Sequence, residues 1–106
     1  MDMEKFVEMM ENVVTDLSNE FGQHIEFHVE YDNARQPMVS VEIPQHLFEF
    51  GIVDCVDGFD DDGNSEPEYL VYFYRNEKLV SVWNSEFAGL LLNMFHDMMS
   101  GLLDEM

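Results

Sequence analysis

The densest group of possible metal ligands lies in residues 54–68, DCVDGFDDDGNSEPE, which hold seven carboxylates and neither lysine nor arginine. Hard cations such as Ca²⁺ and Mg²⁺ bind several oxygen ligands that a tight glycine turn brings together, and Gly63 lies within the group. The four side chains best placed around this glycine are Asp60, Asp62, Asn64 and Glu66. The stretch therefore raises a divalent-cation-binding module as one interpretation.

The spacing of the same stretch departs from the EF-hand calcium loop. With Gly63 aligned on the loop glycine, Gly58 stands where the first Asp ligand belongs and Tyr69 stands where the bidentate Glu belongs. The neighbouring residues also predict strands and not a helix pair. We favour a solvated loop with Asp-Gly turn chemistry between two strands, and we predict no cofactor.

A second group of possible ligands alternates along one predicted strand. His24, Glu26, His28 and Glu30 share a face, and Glu42 from a neighbouring strand is a possible third ligand for Zn²⁺ or Ni²⁺. Residues i and i+2 of a strand lie about 6.6 Å apart, which is wide for two ligands of one ion. The pattern is more typical of the water-facing side of an antiparallel sheet.

The sequence lacks the common catalytic motifs. It has no G-x-S-x-G, P-loop, H-E-x-x-H or glycine-rich dinucleotide turn. Cys55 lies in IVDCV, a context typical of a core thiol. His96 and Asp97 are adjacent on a predicted helix, so we expect their side chains to diverge. These observations predict that the protein is not an enzyme.

Charge separates this chain from an ordinary small domain. It carries 23 acidic residues against Lys5, Arg35, Arg75 and Lys78, a net charge of −19, and the acids are spread along its whole length. Such a field repels nucleic acid and anionic membranes, and attracts basic surfaces over a Debye length of about 8 Å. The charge predicts a cationic protein or a cation as partner, without direct binding to nucleic acid or membrane, and we favour a basic, nucleic-acid-binding protein.

Length and composition predict one folded domain over residues 1–106. Apolar residues make up 46% of the chain, enough to bury a core without disulfides. The single cysteine fits a reducing compartment. The acidic start MDMEKFVEMMENVV has neither signal-peptide nor transit-peptide character, and no apolar run approaches the roughly 18 residues of a membrane span. We expect a cytoplasmic location.

Hydrophobic periodicity predicts a helix at each end of the chain and strands between them. The spacing of apolar residues changes from three or four to two after Gly22, and returns to three or four after Asn84. The predicted elements are a helix over 3–21, strands over 24–31 and 39–43, a short helical turn over 46–48, strands over 52–56, 69–74 and 79–83, and a helix over 87–103. Residues 69–74 are apolar on both faces, which indicates a central strand or one that meets a partner. The order predicts an α+β two-layer domain, with a four- to five-stranded antiparallel sheet and both helices on one sheet face.

The last predicted helix has an apolar arc of roughly 220°, wider than one sheet face covers. The extra flank must meet either the N-terminal helix or another subunit. We expect a possible homodimer through Leu92, Met99 and Leu103.

The carboxylates themselves are the strongest candidate for a binding surface. Glu4, Glu8 and Glu11 climb one helix face, and Glu26 and Glu30 stand on a strand. Such a surface presents charge at a density loosely comparable with a nucleic-acid strand, at one phosphate per roughly 3.4 Å. The predicted partner-binding residues are Glu4, Glu8, Glu11, Asp54, Asp57, Asp60, Asp61, Asp62, Glu66 and Glu68. The alternative is an acidic coat that serves solubility or adaptation to high salt.

By size, acidity and α-β-meander-α order, the chain resembles the small phage-encoded inhibitors of host defence, the anti-CRISPR and anti-restriction proteins, several of which mimic nucleic acid. The resemblance covers the chain through composition and element order, and implies action in the host cytoplasm. Bacterial immunity proteins, which neutralise cationic nuclease toxins, are similarly small and acidic. Both resemblances imply one mechanism, in which carboxylates on a rigid scaffold occupy a basic site.

The solvated-loop interpretation of residues 54–68 predicts that divalent cations do not bind. Titration calorimetry with Ca²⁺, Mg²⁺ and Mn²⁺ should give no binding heat, and the melting temperature should not rise with added cation. Saturable heat from one of these ions, lost in Asp60→Asn and Asp62→Asn variants, would favour the cation-binding module instead.

Overall fold

The computed structural model describes residues 2–33, 36–54 and 69–105, and shows a two-layer α+β domain. The elements are helix α1 (Met3–Phe21), strands β1 (Glu26–Tyr31), β2 (Pro37–Ile43), β3 (His46–Asp54), β4 (Tyr69–Arg75) and β5 (Lys78–Asn84), a 3-10 turn (Ser85–Phe87) and helix α2 (Ala88–Asp104). The strands form one antiparallel sheet in the order β1-β2-β3-β4-β5, and both helices pack on one of its faces. The predicted fold class is confirmed.

Capping residues set the two ends of helix α1. The Asp2 carboxylate accepts a hydrogen bond of 2.7 Å from the Lys5 backbone N–H, which satisfies one free donor of the first turn. Gly22 follows the helix with φ of 63°, a left-handed conformation that costs glycine little. Between these ends, Phe6, Met10 and Leu17 are fully buried. The apolar spacing therefore sets the face that α1 turns toward the sheet.

Strand β3 begins at His46, so the predicted helical turn over 46–48 is wrong. The turn Pro44-Gln45 joins β2 directly to β3, with Gln45 at φ of 71°. Phe48 and Phe50 are then buried at alternate positions between β2 and β4. Pairing on both sides of β3 outweighs the weak local preference of this segment.

Four phenylalanines join the sheet to α2. The Phe50 and Phe73 rings stack at 4.9 Å between centroids, and Phe95 meets Phe50 edge-on at 5.0 Å. Phe48 contacts Phe95 edge-on at 5.8 Å. Offset and edge-on geometry is favoured by the ring quadrupoles, so this cluster adds specificity to apolar burial.

The three side chains of α2 that the sequence assigns to a homodimer interface are buried within one chain. Leu92, Met99 and Leu103 have exposed fractions of 4%, 0% and 3%, and α2 packs against α1 as well as the sheet. Packing against α1 and the sheet therefore accounts for the buried part of the apolar arc, whereas Phe87 and Leu90 remain exposed. These three side chains provide no exposed face for a second copy.

Strand β4 is an interior strand, paired with β3 and β5. Its second face carries Leu70, Tyr72 and Tyr74, which are half-buried. Tyr72 lies opposite Gly51 of β3, where an added Cβ would meet the Met38 side chain at 3.4 Å. The apolar character of both faces thus reflects an interior position and cover by neighbouring side chains. Within the described chain, neither helix is long and apolar enough to cross a membrane.

Tyr69, at the start of β4, is a buried polar side chain. It is 1% exposed, its ring centroid is 6.3 Å from that of Phe6, and its hydroxyl has no hydrogen-bond partner among the described residues. Burial, with a smaller contribution from the Asp2 carboxylate, raises the pKa of Tyr69 to about 12. The neutral hydroxyl is therefore favoured in the folded protein.

Tyr69→Phe should increase the free energy of unfolding at neutral pH by about 1 kcal/mol, because it removes a buried unpaired hydroxyl. The folded-state pKa lies above the unfolded value of 10. The free energy of unfolding of the wild-type protein should therefore fall by roughly 2 to 3 kcal/mol as pH rises from 10 through 12, a loss absent from the variant. Urea unfolding of both proteins at pH 7 and pH 11 measures the two effects. A less stable variant at pH 7 would mean that the hydroxyl has a partner.

Candidate functional site

The outer face of α1 presents three predicted binding residues together. Glu4, Glu8 and Glu11 are exposed, and their spacing of four and three residues places them on one side of the helix. Lys5 Nζ approaches Glu8 Oε1 at 3.9 Å, with both side chains more than half exposed. Such a pair contributes little energy, so this side of α1 remains strongly acidic.

A second acidic face lies on the open side of the sheet, away from the helices. The register of β1 and β2 places Glu26 directly opposite Glu42, and Glu30 stands on the same face of β1. All three side chains are exposed. Two carboxylates opposite each other in an antiparallel pair destabilise a sheet. No Lys or Arg occurs in β1, β2 or β3 to relieve this repulsion.

The two acidic faces meet at the edge of β1. A cleft of about 450 Å³ separates α1 from β1, and its lining includes Glu11 from the helix and Glu26 from the strand. Glu26 and Glu42 together line a second cleft of about 310 Å³ near the β2–β3 turn. We name the combined region the β1-edge acidic surface. Its residues are Glu11, Glu26, Glu30 and Glu42, whereas Glu4 and Glu8 continue the acidic face of α1 toward β4, where Phe6 contacts Tyr69.

The structure does not join every predicted binding residue to this surface. Asp54 is exposed at the end of β3, opposite Tyr69, whereas Glu42 pairs with Leu47 near the other end of β3. Asp54 lines neither of the two clefts of the β1-edge acidic surface. Within that surface, Glu30 lies toward the same end of the sheet, since Glu30 pairs with Met38 and Met38 pairs with Gly51. The other predicted residues, which lie outside the described part of the chain, are Asp57, Asp60, Asp61, Asp62, Asn64, Glu66 and Glu68.

Glu26 and Glu30 belong to the predicted exposed strand face but not to the predicted partner-binding residues. Glu42 entered only as a possible metal ligand. Strand alternation could have identified the face on which each residue lies, but only the β1–β2 register shows that Glu42 faces Glu26.

The candidate metal ligands of the strand group are exposed side chains, namely His24, Glu26, His28, Glu30 and Glu42. Within the described ranges of the chain, no group of three or more His, Cys, Asp or Glu side chains is close enough to bind a metal ion. His96 Nδ1 and Asp97 Oδ1 lie 3.8 Å apart, so these two side chains do not diverge as predicted. That distance exceeds hydrogen-bond reach, and both side chains are substantially exposed.

Arg75 ends β4, which β3 separates from β2, and its side chain interacts with β3. Its guanidinium Nη2 is 3.3 Å from His46 Nδ1, and its carbon Cζ lies 5.6 Å from the Phe48 ring centroid. This cation is thus engaged by β3 and does not neutralise the β1-edge acidic surface.

Comparison of the chain with models of protein families, with curated proteins and with solved structures found no match.

Glu42→Gln should stabilise the fold by about 0.2 to 1 kcal/mol at low salt, because it removes one of two opposed carboxylates. Glu49→Gln is the matched control, since it removes the same charge from the same sheet face but lies opposite Ser40 and Tyr74. Urea unfolding of both variants and the wild type measures the difference. Equal stabilisation by both variants would show that net charge alone, and not the Glu26–Glu42 pair, is responsible.

Proposed function

We propose that the protein is a non-enzymatic inhibitor that binds a basic, nucleic-acid-binding host protein and occupies its nucleic-acid site. The β1-edge acidic surface carries this proposal. It brings carboxylates of α1, β1 and β2 together around two adjoining clefts that share Glu26, and Lys5 is the only Lys or Arg of those three elements. Opposed carboxylates that weaken the sheet accord with a surface that serves binding and not stability.

Electrostatic attraction is the mechanism that follows from this surface. Exposed carboxylates contribute little individually, but several of one sign steer a cationic partner and speed association. Arg and Lys side chains that normally contact phosphates would instead meet carboxylates, with charge-assisted hydrogen bonds. Binding of this kind weakens as salt is added and excludes nucleic acid from the same groove.

The rigid scaffold supports mimicry of a charged strand. The carboxylates stand on a capped helix and on paired strands, so their spacing is set by backbone geometry before the partner arrives. Anti-CRISPR or anti-restriction activity in the host cytoplasm is the form of inhibition that we propose. The lone cysteine is compatible with that reducing compartment.

The test compares two triple variants that each remove three negative charges. The first, Glu11→Gln/Glu26→Gln/Glu42→Gln, lies on the β1-edge acidic surface, and the second, Glu77→Gln/Asp97→Asn/Asp104→Asn, lies elsewhere on exposed positions. Immobilised wild type and control variant should each retain a nucleic-acid-binding protein from host lysate at low salt. The surface variant should retain at least about tenfold less, a difference of roughly 1.4 kcal/mol.

Competition with nucleic acid then distinguishes nucleic-acid mimicry from non-specific electrostatic binding. Salt and added duplex DNA or RNA should each release the retained protein, and the purified protein should lose nucleic-acid binding in the presence of the acidic chain. Equal losses in the two triple variants would contradict the proposal, because they would indicate an acidic coat without a defined surface. Retention that resists high salt would also contradict it.

A further inference from the structure

We propose that the free edge of β1 binds an extended, lysine- or arginine-rich segment of the partner as an additional strand of the sheet. The inference rests on the proposed function and specifies how the basic partner is held. Strand addition supplies backbone hydrogen bonds for affinity, while alternating side chains supply specificity.

Strand β1 has an unpaired edge within the described sheet. It pairs with β2 alone, in an unbroken register from Glu26 opposite Glu42 to Tyr31 opposite Pro37. Edge strands expose rows of N–H and C=O groups that can pair with another chain. This edge is therefore a template for one further strand.

The turn between β2 and β3 identifies which backbone groups point outward. Ile43 and His46 flank the two-residue turn, so they form a hydrogen-bonded pair. The backbone of the next residue, Leu47, points away from β2, since its carbonyl accepts a hydrogen bond of 2.8 Å from the Asn76 N–H, which follows β4.

The same alternation along β2 directs the backbone N–H and C=O groups of Glu42, Ser40 and Met38 toward β1. The backbone groups of their β1 partners Glu26, His28 and Glu30 therefore bond to β2.

The β1 backbone groups that point away from β2, toward the free edge, are those of Phe27, Val29 and Tyr31.

Side-chain charge selects what can pair with this edge. Residues 26–31 contain no Pro, Lys or register shift, the devices that commonly protect an edge. Glu26 and Glu30 are the charged residues beside it, and a second copy of this chain would bring carboxylates against carboxylates. A basic strand complements them, because opposite charges on neighbouring strands are stabilising.

The β5 edge lacks this complementarity. Leu79, Val80 and Val82 are exposed there, Lys78 begins the strand, and the pairing of β4 and β5 shifts register at Phe73/Tyr74. No acidic residue occurs in β5 to attract a cationic segment. Of the two edges, β1 is the one that fits a basic occupant.

The cleft beside β1 accommodates the inward side chains of an added strand. Thr15 and Ser18 of α1 line it together with Glu11, and its volume is about 450 Å³. Successive residues of the added strand would alternate between this cleft and the open sheet face. The chemistry predicts Lys or Arg at every second position, beside Glu26 and Glu30, with small polar or β-branched residues facing α1.

The test uses a short capped peptide that alternates lysine and threonine, and the same sequence methylated at every backbone nitrogen. Both peptides carry the same charge, but only the first donates backbone hydrogen bonds. Calorimetry at low salt should show binding of the unmethylated peptide at least about tenfold tighter. Hydrogen exchange should show new protection of the Phe27, Val29 and Tyr31 amides.

Two variants at one position test the edge in the protein. Val29→Pro removes an outward N–H and Val29→Ala keeps it, while both truncate the packing of a partly buried valine. The proline variant should bind the peptide at least about fivefold more weakly than the alanine variant. If the proline variant does not fold, two measurements on the wild-type protein still test strand addition. These are the amide protection and the difference in affinity between the methylated and unmethylated peptides.

Equal affinities for the two peptides, or no new amide protection, would overturn strand addition and leave the proposed function in place. Absence of peptide binding while lysate capture remains salt-sensitive would overturn it in the same way. Dimerisation that protects the β1 amides without peptide would also overturn it, since the edge would then belong to a second copy. If instead the proposed function is wrong, the protein should show no salt-sensitive capture of a nucleic-acid-binding protein from lysate.

Discussion

The packing of phenylalanine side chains between the sheet and α2 is the interaction on which the rest of the fold depends. Phe48 and Phe50 from β3, Phe73 from β4 and Phe95 from α2 contact one another at the centre of the core. Burial of large apolar side chains is the main favourable contribution to folding. Because these rings come from strands and helix alike, they hold the two layers together and leave the other sheet face open.

That core accepts no charge, and this determines where the carboxylates lie. Among the described residues, no charged side chain is buried. An unpaired charge inside an apolar core is too costly to keep, so the acids of a chain with net charge −19 crowd onto its surface. Helix and strand geometry then decide which of them become neighbours. Around β1, the result is carboxylates on both sides of one cleft, with repulsion that the core must offset.

The proposed function and the proposed strand addition use different properties of the same edge. Under these proposals, the carboxylates would provide long-range attraction, which affects how fast a basic partner arrives more than how tightly it stays. The backbone groups of β1 would provide short-range hydrogen bonds that hold an extended segment in register. A surface with both properties would distinguish an extended basic segment from a folded basic surface of equal charge, because only the extended segment presents free backbone donors and acceptors.

The sequence by itself determined most of the elements, their order and the exposed or buried side of most of their residues, because periodicities of two and 3.6 depend on local backbone geometry. The alternation from Glu26 to Glu30 and the burial of Leu91, Phe95 and Met99 on α2 are examples that match the structure, whereas Tyr31 and Leu90, predicted on the apolar faces, are exposed.

Only the tertiary structure determined which residues pair or pack against each other. The burial of Leu92 against its own chain depends on where α1 packs, and the assignment of His46 to β3 depends on pairing with β2. The opposition of Glu26 and Glu42 likewise depends on the register of two strands that are separated in sequence. Such contacts arise from packing between distant segments, which local spacing does not encode.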